Sequence, residues 1–276
     1  MRDFDFKVIN AEEEIQHIVD EIKKYFVKNG NENTKAVIGI SGGKDSTIAA
    51  ALLVRALGSE RVIGVMMPEG TQKDIHDSQE VCDILDIEAY TINIGDAVQA
   101  LYGGLIPVRA QSEFDSPLPA IVTTNTPARI RMATLYAVAG LVGGRVINTG
   151  NKSELYIGYT TKYGDLAGDF AIFKDYCVRE VLEIGDNLDE LPAHLVHKAP
   201  GDGMSGKTDE DNTGIPYDVL DAYLLDEVIP EYDILRKIEE RHTRNLHKRD
   251  ICMPYIRIKT RAWHENSNKE ESPFSF

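Results

Sequence analysis

The stretch KAVIGISGGKDSTIAAALLVRAL, residues 35–57, decides how the fold is read. Lys35–Ile40 is short, apolar and β-branched, the pattern of a buried strand. Asp45–Leu57 is rich in Ala and Leu and reads as a helix. Between them, Gly42 and Gly43 carry no Cβ, so the chain can turn sharply and bring backbone N–H groups close to an anion. Ser41 and Ser46 add hydroxyl donors, and the opening of the helix aims unpaired amides at the same point. Asp45 would repel bare phosphate; it makes sense if Mg²⁺ sits between carboxylate and phosphate. The structural alternative is an ordinary glycine-rich turn with Asp in the first helical turn. Lys44 is followed by Asp45 rather than Ser or Thr, so this is no Walker A loop, and GxGxxG is absent.

Outward from this core the pattern alternates. Ala11–Lys28 precedes it as an amphipathic helix with Asn29–Gly30 as its stop. After it come a strand at Arg61–Met67, a helix at Lys73–Asp86, a strand at Glu88–Ile94 and a helix at Asp96–Leu105. Residues 107–126 contain three prolines and little periodicity and read as an extended loop. Pro127 suits the first turn of a helix reaching Val142, and Arg145–Thr149 reads as a fourth strand. Further helices are expected near Asp175–Leu188, Tyr217–Leu225 and Tyr232–Asn245. Strands alternating with helices imply an α/β fold, a parallel sheet with helices on both faces. In such sheets ligands bind beyond the carboxyl ends of the strands.

Residues 199–214 carry four glycines and read either as a disordered surface loop or as a lid that orders over substrate. Residues 262–276 read as a frayed tail. The segment 132–142 is apolar nearly all round, which suits either the core or a subunit interface.

The net charge of −15, from 30 basic and 45 acidic side chains, repels a phosphate backbone and argues against nucleic acid as a partner. No apolar run is long enough to span a bilayer. Cys82, Cys177 and Cys252 form no CxxC pair, which fits thiols in a reducing cytoplasm.

The SGGKDS loop, residues 41–46, resembles that of the pyrophosphatase-loop superfamily, with its adenine-nucleotide α-hydrolase-like three-layer architecture. Such enzymes split ATP between its α and β phosphates and adenylate a substrate oxygen. Five further motifs resemble NAD synthetase in order and spacing: PARIRM (127–132), INTGNKSE (147–154), GYTTKYGD (158–165), TDEDNTGIPYDVLDAYL (208–224) and HKRD (247–250). The resemblance implies amidation of deamido-NAD by ammonia through an acyl-adenylate, giving NAD, AMP and pyrophosphate. It places ATP against Gly39, Ile40, Ser41, Gly42, Gly43, Lys44, Asp45, Ser46 and Thr149. A helix N-cap would also explain Thr149. Mg²⁺ falls to Asp45 and Glu154. Deamido-NAD falls to Arg129, Lys162, Asp169, His247 and Lys248, with Asp165 a catalytic candidate near the nicotinate end or the incoming ammonia.

Two positions depart from the family pattern. Val178 stands where a lysine usually contacts ATP, and Gly201 where a Ser or Thr does; Lys174, Arg179 and Lys198 are the cations available in compensation. The synthetase pattern begins within the first few dozen residues. That leaves no room for the nitrilase-type amidase of glutamine-dependent members, so residues 1–276 are expected to form one synthetase domain using free ammonia, as a homodimer.

Overall fold

The apolar, β-branched run at Lys35–Gly39 forms the central strand, β1, of the computed structural model, which describes residues 9–71, 75–111, 117–198 and 208–249. It follows helix α1 (Ala11–Asn29) and feeds α2 (Lys44–Leu57). Then come β2 (Val62–Met66), α3 (Ile75–Ile84), β3 (Glu88–Thr91), α4 (Gly95–Gly104), α5 (Ile106–Gln111), α6 (Ala120–Val142) and β4 (Gly144–Asn148). The chain continues through α7 (Lys152–Ile157), β5 (Phe170–Ala171), α8 (Val178–Asp186) and α9 (Ala193–Val196). It closes with α10 (Asp209–Thr213), α11 (Tyr217–Leu225) and α12 (Tyr232–Asn245).

The five strands pair parallel in the order β3-β2-β1-β4-β5. Successive residues of β1 serve opposite faces: Ala36 and Ile38 join a core built with α1, α2, α3 and α8, whereas Val37 joins Val138 and Ala139 of α6. Both faces are therefore covered, as the alternating pattern requires. Strand order reverses between β1 and β4, since β2 and β3 lie on one side and β4 and β5 on the other. The loops leaving these two neighbours diverge and open a crevice at their carboxyl ends. A satellite core of Ile157, Val178, Ile215, Tyr217, Leu220 and Ile238 ties α7, α8, α11 and α12 together beside that crevice.

The structure alters or adds to the sequence reading in three places. The loop expected at 107–126 is helical over most of its described residues: α5 covers Ile106–Gln111, and α6 starts at Ala120, so Pro127 lies inside a helix rather than in its first turn; 112–116 lie outside the described residues. Proline lacks the N–H that would bond the carbonyl four residues back. That carbonyl, on Thr123, instead accepts the Tyr102 hydroxyl at 3.4 Å. A long-range partner of this kind leaves no local signal. The second is the segment 199–214, expected as a surface loop or a lid. Thr208 caps α10 reciprocally with Asp211, so the end of that segment is helical; residues 199–207, Gly201 among them, lie outside the described residues. The third is β5, two residues long and too short to show a period. Gly168 lets it approach, since a Cβ there would sit 2.7 Å from the Asn148 Cβ. Cys252 and the 262–276 tail also lie outside the described residues, while Cys82 and Cys177 are buried free thiols.

Candidate active site

The bend after β1 is held by its own serines. The Ser46 hydroxyl donates to the Gly43 carbonyl at 3.1 Å and lies 3.1 Å from the Ser41 hydroxyl, and the Ser41 hydroxyl accepts the Gly43 amide at 3.2 Å. Gly42 has φ +74°, and a Cβ there would meet the Ser78 amide and hydroxyl at 3.1 and 3.0 Å. Glycine is required by conformation and by space alike. Gly43 occupies the N-cap of α2, and no side chain caps that helix. Its first amides are left for an external acceptor.

A cavity of about 190 Å³ opens here, lined by Ser41, Gly43, Lys44, Asp45, Ser46, Thr149, Gly150, Glu154, Asp165 and Asp209. Its size suits a phosphate cluster better than a whole dinucleotide. Eight of these ten residues come from the loops after β1 and β4, the two strands flanking the reversal. A broader depression of about 650 Å³ is lined only by side chains between Lys237 and Arg244. One helix cannot make groups converge on a ligand, so the smaller cavity is the better site.

Asn151 organises the carboxylates. It is fully buried and caps α7: its Oδ1 accepts the Glu154 amide at 3.0 Å, and Glu154 Oε2 accepts the Asn151 amide at 3.1 Å. Its Nδ2 donates to Asp45 Oδ1 at 3.2 Å. One asparagine thus sets Asp45 and Glu154, 109 positions apart in sequence, against each other. The cap is Asn151 and not Thr149, so the structural explanation for Thr149 falls away; its side chain lines the cavity. The Asn-x-x-Glu spacing is a capping-box signature that was legible beforehand.

Charge in the cavity is concentrated. Burial, then repulsion from Asp45, pushes the Glu154 carboxyl up to about 8. Burial alone would depress Lys44, but Asp45, Glu154 and Asp209 outweigh it and hold the ammonium above its ordinary range. Lys44 is buried and bonds Asp45 at 2.8 Å, neutralising part of the carboxylate charge. Asp165 opens onto the cavity while protein walls its other sides; desolvation raises its carboxyl, which accepts the Thr161 amide at 2.8 Å.

These donors fit a hard divalent cation. Asp45 and Glu154 offer oxygen only, and repulsion between buried carboxylates is relieved when such an ion enters. Among the described residues no set of three or more His, Cys, Asp or Glu forms a ready-made metal cage. Mg²⁺ characteristically takes one or two carboxylates and completes its shell with phosphate and water.

The residues expected at the dinucleotide form two groups. Arg129 Nε donates to the Lys162 carbonyl at 3.2 Å, and Lys162 Nζ to the His247 carbonyl at 2.6 Å. Lys248 joins them, its ammonium held by the carbonyls of Gly158 and Thr160 at 2.7 and 2.8 Å. Four residues from three separate motifs are thereby brought to one rim. Asp169 makes its contacts elsewhere: it accepts the Val146 amide at 2.8 Å and the Tyr136 hydroxyl at 3.3 Å, fastening the β4 edge.

Two residues escaped the sequence reading. Asp209 lines the cavity from the first turn of α10, and Arg131 reaches back to the Met67 carbonyl at 3.1 Å beyond β2. The motif 208–224 contained Asp209, but its several acids look alike in sequence. The three compensating cations also separate. Arg179 grips Asp226 through two bonds of 2.8 and 3.1 Å, and Lys174 is exposed. Lys198 pairs with Asp77 at 2.5 Å, one residue from the Ser78 that abuts Gly42. Lys198 is therefore the cation that stands beside the phosphate bend.

The geometry agrees with known proteins. Residues 14–252 match the family model described as NAD synthase. The NH(3)-dependent NAD(+) synthetase of Methanococcoides burtonii is 40% identical over 192 residues, covering 68% of this chain and 70% of that protein. Among solved structures, NMN synthetase from Francisella tularensis superposes with a TM-score of 0.79 at 33% identity, covering 90% of this chain and 99% of that one. NH3-dependent NAD synthetase from Campylobacter jejuni, in complex with the nitrate ion, gives 0.69 at 28% identity, with the same 90% and 99% coverage. A glycine bend between strand and helix, a capping box that joins two distant carboxylates and a match over most of the chain lead to one assignment: this protein belongs to the NAD synthase family.

Proposed function

We propose that the chain makes NAD by amidating deamido-NAD with ammonia, at the expense of ATP. The observation that carries this reading is the convergence of the uncapped α2 N-terminus with Asp45, Glu154 and Thr149 on one cavity. The nicotinate carboxylate attacks the α-phosphorus, the bond to the β-phosphate breaks, and pyrophosphate departs. Ammonia then attacks the acyl carbon, AMP leaves with the former carboxylate oxygen, and the nitrogen sheds a proton. The α2 amides and the Ser41 hydroxyl bind the pyrophosphate oxygens, while Ser46 holds the bend. Asp45 and Glu154 would hold Mg²⁺, which would neutralise charge on the phosphates. Lys198 supplements it from the Asp77 side. Asp165, its carboxyl raised by burial, is suited to accept the proton that ammonium must lose.

Arg129, Lys162 and His247 bind the dinucleotide at the rim. Lys162→Ala should raise KM for deamido-NAD by about 10-fold and leave KM for ATP within about twofold, because a charge-assisted contact to one substrate is lost. Initial-rate measurements varying each substrate check this; equal rises in both would remove Lys162 from the dinucleotide site.

The protein acts as a homodimer in the cytoplasm. Support for the dimer is the exposure of apolar side chains on α5 and α6, where Leu141 is 87% exposed, Ile121 70%, and Ile106 and Val108 61% each. No described helix is long and apolar enough to cross a membrane.

The test is product analysis with ATP, Mg²⁺ and deamido-NAD, with and without ammonia. NAD, AMP and pyrophosphate in equal amounts, only when ammonia is present, are expected; AMP without NAD would remove the amidation step. One observation favours a second reading: the Francisella tularensis structure, with the TM-score of 0.79, is an NMN synthetase. On that reading the acid is the mononucleotide and the product NMN. Comparing kcat/KM for the two acids decides between them.

A further inference from the structure

Lys44 is a cation placed where a cation is disfavoured twice. It is the first residue of α2, at the positive end of that helix, and its side chain is only 5% exposed. The helix dipole opposes positive charge there, and burial opposes any charge. The position therefore calls for an anion close by. In the protein that anion is Asp45, whose Oδ2 accepts Lys44 Nζ at 2.8 Å. Among the described residues this is the one hydrogen bond the ammonium makes, although it has three protons to give. Lys44 and Asp45 both line the cavity, together with Glu154 and Asp209. Burial works against the lysine charge, and the three carboxylates outweigh it.

The pairing bears directly on the carboxylate that a divalent cation needs. Asp45 Oδ1 accepts Asn151 Nδ2 at 3.2 Å, so it is tied to the α7 cap, and Lys44 stands on the other oxygen. Magnesium bonds a carboxylate oxygen at about 2.0–2.1 Å. An ammonium 2.8 Å from the same oxygen would then lie within a few ångströms of a double positive charge. Arriving metal and resident ammonium therefore compete for Asp45. Once displaced, a buried ammonium cannot stay unpaired without a large cost. The anion that arrives with the metal is phosphate, which the uncapped amides of the same first turn attract.

We propose that Lys44 is a tethered counter-cation that competes with the free divalent ion for Asp45 and passes to a phosphate oxygen when metal and ATP enter together. The lysine thereby couples the two ligands. The ion alone is held weakly; the ion with nucleotide is held tightly, because phosphate gives the ammonium a new partner. The inference rests on the functional reading above and deepens it: the family resemblance set Lys44 against ATP and assigned it nothing toward the metal.

Lys44→Met and Lys44→Gln in the full chain test this by opposite signs. Gln keeps a donor for Asp45 and serves where Met does not fold; urea melts show which variants are folded. Affinity for Mn²⁺ without nucleotide, read by electron paramagnetic resonance, should rise about 10-fold, because the competing charge is gone. Affinity for the preformed complex of Mn²⁺ with α,β-methylene-ATP, read by isothermal titration calorimetry, should fall about 10-fold, because a charge-assisted phosphate contact is lost. A lysine that merely braces Asp45 would lower both affinities on removal, and one that merely touches phosphate would leave the first unchanged; either result overturns the inference. A third measurement needs no variant: Mn²⁺ alone binding the unmutated protein as tightly as its nucleotide complex does also overturns it. These failures leave the amidation reading intact. If the unmutated protein does not bind the Mn²⁺–nucleotide complex, the functional reading itself falls.

Discussion

Asp45→Asn and Glu154→Gln should each lower turnover by about 10²- to 10³-fold while the protein stays folded, because each removes charge that the cation–phosphate cluster needs and little that the fold needs. Asn at 45 is isosteric and can still meet Asn151. Gln at 154 keeps an oxygen for the Asn151 amide, so the α7 cap survives. Stability gives a second readout whose sign is fixed. Glu154 is raised from an ordinary value of 4.5 to about 8, so the folded metal-free protein holds a proton that the unfolded chain has released. Stability should then decline as pH rises from about 4.5 to about 8 and level off above it. Glu154→Gln has nothing to ionise there and should flatten that slope. Urea melts at several pH values, paired with initial rates, check both halves. Near-normal rates in either variant would show that these carboxylates do not serve the reaction.

The second large effect should be on folding. Gly158→Ala is expected to destabilise the protein by about 3 kcal/mol or more, measured by equilibrium urea denaturation. Gly158 ends α7 at φ +65°, a left-handed conformation costing an alanine about 1–2 kcal/mol. Its new Cβ would also fall 2.2 Å from the Asn245 Cβ, an atom close to the backbone that cannot swing aside. α12 must then move off α7, breaking the bond from Asn245 Nδ2 to the Ile157 carbonyl and the Lys248 bond to the Gly158 carbonyl. Because α7 carries Glu154 and the end of α12 leads to His247, activity should fall with stability. A loss below about 1 kcal/mol would mean that the two helices separate cheaply.

Much of this was legible in the residues themselves. KAVIG, with every second residue committed to an opposite face, could only be an inner strand, and the glycines of the bend announced close approach to an anion. Asn151 and Glu154 carried their capping box in their spacing. These are local rules, acting over two to five residues, so they survive without the rest of the chain.

Other features came only with the tertiary structure. The helix through Pro127 depends on Tyr102, about two dozen residues earlier. The choice of Lys198 over Arg179 depends on which aspartate each side chain meets. Asp209 reaches the cavity because the Thr208–Asp211 cap sets it in the first turn of α10, and in sequence it does not differ from its acidic neighbours. Sequence therefore determined the elements and the kind of chemistry, through short-range periodicity and backbone geometry. Which charged groups face one another was decided by folding, since that depends on distances between segments that no local pattern contains.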